Sequence, residues 1–151
     1  MSSTNILDLT PKMRTLYAEF ATKMAEKNLS FMITRVSCNL VEQMALYTKG
    51  RLSLGDVNRF MAAAKLPPIF AIDNNVVTWT LNSKHIISPA VPFSRAFDIA
   101  IRDVSVPTWD IKVDVNVNEI PDYKEAAEIG ETVGLVNGGS YGDWPHYEEP
   151  E

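Results

Sequence analysis

The chain has only two histidines, His85 and His146. Asp98 follows the first by thirteen positions, and Asp143 precedes the second by three. Two imidazoles and a carboxylate are the kind of ligand set that holds a catalytic zinc, with a fourth position left for water. A structural zinc is instead closed by four ligands, usually including cysteines. Cys38 is the only cysteine, which excludes a Cys-rich closed site and any intramolecular disulfide. In Asp143-Trp144-Pro145-His146, Pro145 disfavours a helix interior, and a tight turn would keep positions i and i+3 within about 7 Å. Such a turn places a second carboxylate beside the metal but outside its ligand shell. Metal-assisted hydrolysis needs a base there to take a proton from water.

These residues need elements to hold them. In RAFDIAI, read as a strand, Phe97, Ile99 and Ile101 form one apolar face, while Ala96, Asp98 and Ala100 form the other. That second face is either a half-solvated surface or a seat with room against Asp98. Met13, Leu16, Tyr17, Phe20 and Met24 recur at helical spacing from Pro11 to Asn28, with Thr10 as N-cap. SFMITRVS reads as a short strand. A second helix carries Leu40, Met44 and Tyr47 on one face, capped by Asn39 with Glu42 and ended near Gly50. A third spans Ser53 to Lys65 before Pro67-Pro68, and a last one runs from Pro121 to Val133 with Gly134 after it.

VVTWTLN and IKVDVNV alternate like strands, and the Gly-rich tail after them reads as irregular. Asp114, Asn116 and Asn118 fit the polar face of such a strand better than a calcium loop, which would require a glycine they lack. Trp79 and Trp109 either flank a cleft or pack at a sheet edge. Helices first and strands later predict an α+β fold: one domain over 1–151, with a small antiparallel sheet backed by helices.

The chain has 151 residues and a formal charge of −5. Its length buries a core without metal or disulfide support. No basic stripe is present, so nucleic acid is not an expected partner. No apolar run approaches bilayer length, so membrane insertion is not expected either. The start, MSSTNILDLTPK, lacks a basic patch followed by an apolar region, so no Sec-type signal peptide is expected.

Several of these stretches together resemble a family, the zinc peptidases of peptidoglycan that include phage L-alanyl-D-glutamate endopeptidases and D-Ala-D-Ala carboxypeptidases. Ser83-Lys84-His85 matches the start of the family signature S-x-H-x-x-G-x-A-x-D, and Arg95-Ala96-Phe97-Asp98 its end. Asp143-Trp144-Pro145-His146 matches the second signature, close to the D-x-P-H form of phage endolysins. ITRVSCNLVEQMALYTKGR, VTWTLNSKH, WDIKVDVN, DYKEAAEIGETVGL and GGSYGDWPHYE follow in the expected order over nearly the whole chain.

The resemblance implies a hedgehog/D-Ala-D-Ala-peptidase-like fold with no separate wall-binding domain. It implies Zn2+ held by His85, Asp98 and His146, with Asp143 as the catalytic base. Ser83, Arg35 and Trp79 would contact the substrate, a peptidoglycan stem peptide cut at L-Ala-D-Glu by a monomer. A D-Ala-D-Ala carboxypeptidase, or a weakened wall-binding protein of the same fold, are the alternatives. A cytoplasmic product reaching the wall through another factor would fit the absence of a signal peptide. Two departures stand out. IISPAVPFS lengthens the first signature, with Ser94 where a glycine is usual. Cys38 stands where the family carries an arginine thought to hold the substrate carbonyl. Arg35 or Arg95 could replace it, and strand parity favours Arg35, because Arg95 would point away from Asp98.

Overall fold

The computed structural model describes residues 2–151. Four helices and a five-stranded antiparallel sheet make up an α+β fold. The helices are α1 (Pro11–Glu26), α2 (Leu40–Thr48), α3 (Leu54–Ala63) and α4 (Asp122–Val133). The strands are β1 (Phe31–Arg35), β2 (Ala96–Asp103), β3 (Val106–Thr108), β4 (Val136–Gly138) and β5 (Asp143–Glu148).

β2 is the axis of the sheet. One of its edges pairs with β1, setting Phe31 against Ile101 and Arg35 against Asp98. Its other edge is shared. β5 pairs with the first half, placing His146 beside Asp98, and β3 pairs with the second half. β4 closes the sheet against β5. Period two then sorts the side chains. Phe97, Ile99 and Ile101 are fully buried in the core with Phe20, Met24, Tyr123 and Tyr147. Phe97 stacks on Tyr147 at 5.4 Å between ring centroids, and Phe20 packs against Tyr147 at 4.8 Å. The opposite face leaves Asp98 between the fully buried Ala96 and Ala100.

The helix starts follow their capping residues. Thr10 Oγ1 accepts from the Met13 N–H, Asn39 Oδ1 from Glu42, and Ser53 Oγ from Asp56. Gly134 ends α4 with φ 100°, a left-handed conformation that glycine adopts without a Cβ penalty.

Several expectations are corrected. Leu40 and Met44 of α2 are exposed, while Glu42, Gln43, Ala45 and Thr48 face inward. Within this buried polar face, the Gln43 amide is held by bonds to Arg35, Thr78 and the Thr80 carbonyl. VVTWTLN is not a strand. Its Thr78 and Thr80 are tied to the Gln43 side chain and the Thr78 carbonyl to Arg51, so its polar groups bond to side chains instead of a ladder. IKVDVNV is not a strand either. Asp110 takes the Lys112 N–H, Asp122 that of Val115, and Asp114 those of Asn118 and Glu119, and these local bonds compete with sheet pairing. The tail read as irregular instead holds β4 and β5.

Gly130, in the middle of α4, lies against the ring of Tyr147. An added Cβ would come within 2.7 Å of Tyr147 Cε1. Helix propensity favours Gly→Ala by about 1 kcal/mol, but overpacking a filled core typically costs about 1–3 kcal/mol. Gly130→Ala is therefore expected to lower stability in urea unfolding despite the better helix former. A rise in the urea midpoint would show that Tyr147 has room to move.

Candidate metal centre and cleft

Three segments distant in sequence bring the candidate ligands together. Asp98 stands on the seat face of β2, and His146 is its cross-strand neighbour on β5. His85 belongs to a loop stitched to the segment after β1: the Cys38 N–H donates to the His85 carbonyl and the Ile87 N–H to that of Cys38. Ser83 shapes the turn, its Oγ accepting from the His85 N–H at 3.2 Å. The lengthened stretch before Asp98 returns at Ser94, which is fully buried and donates to the Val36 carbonyl at 2.7 Å. Extra residues in this loop therefore leave the approach of His85 to Asp98 intact.

The three ligand atoms form a small triangle. His85 Nε2 is 3.1 Å from Asp98 Oδ1 and 3.3 Å from His146 Nδ1, and His146 Nδ1 is 2.9 Å from Asp98 Oδ1. Ligands at about 2.0–2.1 Å around a tetrahedral zinc stand roughly 3.3–3.4 Å apart, close to these edges.

Proton bookkeeping strengthens the fit. His85 Nδ1 lies 2.7 Å from the Val36 carbonyl, which can only accept, so Nδ1 carries the hydrogen. His146 Nε2 lies 2.9 Å from Glu148 Oε2, so in neutral His146 the hydrogen sits on Nε2. Neutral rings held this way aim two bare nitrogen lone pairs at each other and at a carboxylate oxygen. Only a proton or a cation relieves that repulsion. His85, Asp98 and His146 fit a metal ion on the chemistry of the donor set, and the ring partners are the outer contacts that orient metal-binding histidines.

Without a cation, protons fill the gap. Burial opposes charge on His146, but its hydrogen bonds to Asp98 and Glu148 outweigh that and push its pKa up to about 9. Burial likewise opposes ionisation of Asp98, yet the two imidazoles hold its carboxyl well below the usual range. Glu148 is drawn down to about 2, first by the His146 hydrogen bond and, against some desolvation, by Lys84, whose Nζ lies 3.0 Å from Glu148 Oε1.

The triangle opens on a cleft of about 440 Å³. Its lining includes Ser83, Arg35, Trp79, His85, Asp98, Asp143 and His146, so these seven sequence-derived candidates for metal, catalysis or substrate meet in one place. Asp143 sits outside the ligand triangle. Desolvation and then the Asp98 carboxylate raise its pKa above the usual value for an aspartate. Arg35 Nη2 donates to Gln43 Oε1 and reaches Cys38 Sγ, each at 2.9 Å. A guanidinium thus occupies the space beside the cysteine. Arg95 is exposed and lies outside the lining; it precedes β2 in a bend, so strand parity does not set its direction. Trp79 and Trp109 are mostly exposed and border the cleft rather than the core.

The expected turn at Asp143 is replaced by an irregular strand. In a regular β5, Asp143 and His146 would face opposite sides. The pairing jumps from Asn137–Tyr147 to Gly138–Asp143, leaving residues 144–146 of β5 without partners on β4, and this bulge returns both side chains to the cleft. Glu148, Lys84 and Gln43 escaped the sequence reading. Glu148 carried a usable signal, since it is two residues from His146 and shares its strand face, but only once the tail is known to be a strand.

No protein-family model matches the chain, and no curated protein does. The family relationship therefore remains a resemblance carried by the motifs.

Two outcomes follow from the donor set. Adding Zn2+ near pH 7 should displace the His146 proton, so acid release in weakly buffered solution should track the binding curve. Binding with no proton release would mean that His146 is not a ligand. Glu148→Gln, which loosens the imidazole orientation, should weaken zinc affinity by about 10–100-fold, read by competition with a chelating dye.

Proposed function

We propose that the protein is a zinc-dependent peptidase of peptidoglycan that hydrolyses the L-Ala-D-Glu bond of the stem peptide. The observation that supports this most is the meeting of the two-histidine, one-aspartate triangle with an outlying carboxylate, Asp143, and a guanidinium, Arg35, in one cleft. The motif order described above supplies the substrate class.

A zinc ion held by His85, Asp98 and His146 would supply Lewis acidity for the scissile carbonyl and for water near neutral pH. The chain's own groups do the rest. Asp143, with its raised pKa, takes the proton of the attacking water and passes it to the leaving amine. Arg35 donates toward the carbonyl oxygen as negative charge gathers there. Its side-chain hydrogen bonds go to neutral groups, the Cys38 thiol and the Gln43 amide, and its charge also acts on Asp143. The Ser83 hydroxyl and the Trp79 and Trp109 rings contact the peptide on either side. The cleft needs no second chain, in keeping with a monomer. Among the described residues no helix is long and apolar enough to cross a membrane.

An arginine lining the cleft and hydrogen-bonded to neutral groups also suits a terminal carboxylate, which favours D-Ala-D-Ala carboxypeptidase activity as the second reading. Purified murein separates the possibilities. Turbidity should fall with the zinc-loaded protein and stay constant with chelator, and product masses should show cleavage after L-Ala. Release of single D-Ala would select the carboxypeptidase. Wall binding without any cleavage would leave only a binding protein.

Asp143→Asn should keep zinc and lose about 10²-fold or more in turnover, the usual weight of an acid–base group. Loss of zinc in that variant would instead make Asp143 a ligand. Arg35→Ala should slow hydrolysis by about 10²–10³-fold, as expected for one donor to a developing oxyanion, and Cys38→Arg should restore part of it. Parent-like turnover by Arg35→Ala would remove the guanidinium from the mechanism.

A further inference from the structure

Asn137, at the middle of β4, is nearly fully buried and touches none of the cleft. Its side chain nevertheless holds the segment on which the cleft depends. Nδ2 donates to the Trp144 carbonyl at 2.9 Å and to the His146 carbonyl at 3.0 Å. Oδ1 accepts from the Gly139 N–H at 2.8 Å. Two carbonyls on one side and an N–H on the other fix which way the amide points, and both amide hydrogens are in use.

These bonds fall where the β4–β5 ladder fails. Residues 144–146 have no partner residue on β4, and the Trp144 and His146 carbonyls are met there by the Asn137 side chain instead. The Asn137 amide takes the place of the missing backbone. The neighbouring glycines allow the close approach. A Cβ at Gly138 would meet the Asp143 carbonyl oxygen at 2.4 Å, and one at Gly139 would meet the Trp144 ring at 2.6 Å. Trp144 in turn packs against the core, anchoring the bulge from below.

We propose that Asn137 is a positioning residue that sets the distance between the base Asp143 and the metal ligand His146 by clamping the β5 bulge. The bulge reverses strand parity between the two side chains, and the Asn137 amide bonds two of its carbonyls, those of Trp144 and His146, from the β4 side. In its kinetic consequence the proposal rests on the peptidase reading above; in its metal-geometry consequence it does not.

The test uses Asn137→Ala and the nearly isosteric Asn137→Asp in the full chain, each alone and combined with Asp143→Asn. On murein, the single variants should lose about 10–100-fold in kcat, the size of effect expected when an outer contact orienting the site is removed, with KM within about twofold. Combined with Asp143→Asn and assayed at saturating zinc, where weaker metal binding is masked, they should slow the reaction little beyond Asp143→Asn itself, since at that point Asn137 acts through Asp143. A residue of merely structural weight would instead lower thermal stability and leave kcat at low temperature unchanged, or give losses that multiply in the double variant; either result overturns the proposal. Co2+ titration supplies a readout that needs no hydrolysis. Both variants should bind Co2+ about tenfold more weakly than the parent, as for a lost orienting contact, with displaced visible bands. If the parent fails to cleave murein, the peptidase reading fails, and the cobalt result decides on Asn137 alone. Unchanged bands and affinity would overturn it. Should Asn137→Ala fail to fold, Asn137→Asp, which keeps the acceptor and the volume, carries the test.

Discussion

Everything around the cleft answers to one constraint: three lone pairs aimed at a single point repel one another until a cation or protons lie between them. Such an arrangement does not assemble itself. Each donor must be held from behind, and here each is. The Val36 carbonyl holds His85, Glu148 holds His146, and the β2 ladder holds Asp98 between its neighbours on β1 and β5. The contacts behind the rings also choose the tautomers, so the side of each imidazole facing Asp98 is left without a hydrogen when the ring is neutral.

That demand explains features that look wasteful from a stability viewpoint. Glu148, the last residue of β5, and Lys84 form a part-buried ion pair. Such pairs contribute little net stability once desolvation is counted, but this one orients an imidazole. Gln43 presents a buried amide on a helix that exposes Leu40, Val41 and Met44. Its oxygen holds Arg35, and its nitrogen holds Thr78 and the Thr80 carbonyl, so one side chain ties the guanidinium to the cleft wall that bears Trp79. The core beneath, with Phe20, Phe97 and Tyr147 in ring contact, supplies the rigid floor that lets the upper face be polar.

The Cys38 departure also finds a physical setting. The thiol is buried, and burial raises its pKa above the ordinary value despite the nearby guanidinium. It is thus a neutral small group at physiological pH. A neutral thiol leaves the charge of Arg35 intact, where a carboxylate in the same place would have quenched it. Three residues along the chain, at a bulge between β1 and β2, are enough for an arginine to reach the same space from a different backbone position.

Much of this protein could be read from its residues alone. The caps at Thr10, Asn39 and Ser53, the stop at Gly134 and the alternation in RAFDIAI are local rules, and each element formed where local chemistry placed it. The candidate ligand group was legible because a chain with two histidines offers few choices and because His85, Asp98, Asp143 and His146 sit in ordered motifs. What only the tertiary structure decided is which backbone groups would find partners. VVTWTLN and IKVDVNV alternate as strands do, but side chains of Gln43, Asp110, Asp114 and Asp122 reached their backbones or neighbours first. The tail looked irregular because β4 and β5 are short, rich in glycine and broken by a bulge, so their pairing energy is non-local. Whether Asp143 faces the metal triangle depends on that bulge and on an amide six residues upstream, and no periodicity along the chain encodes it, because strand parity by itself gives the opposite answer.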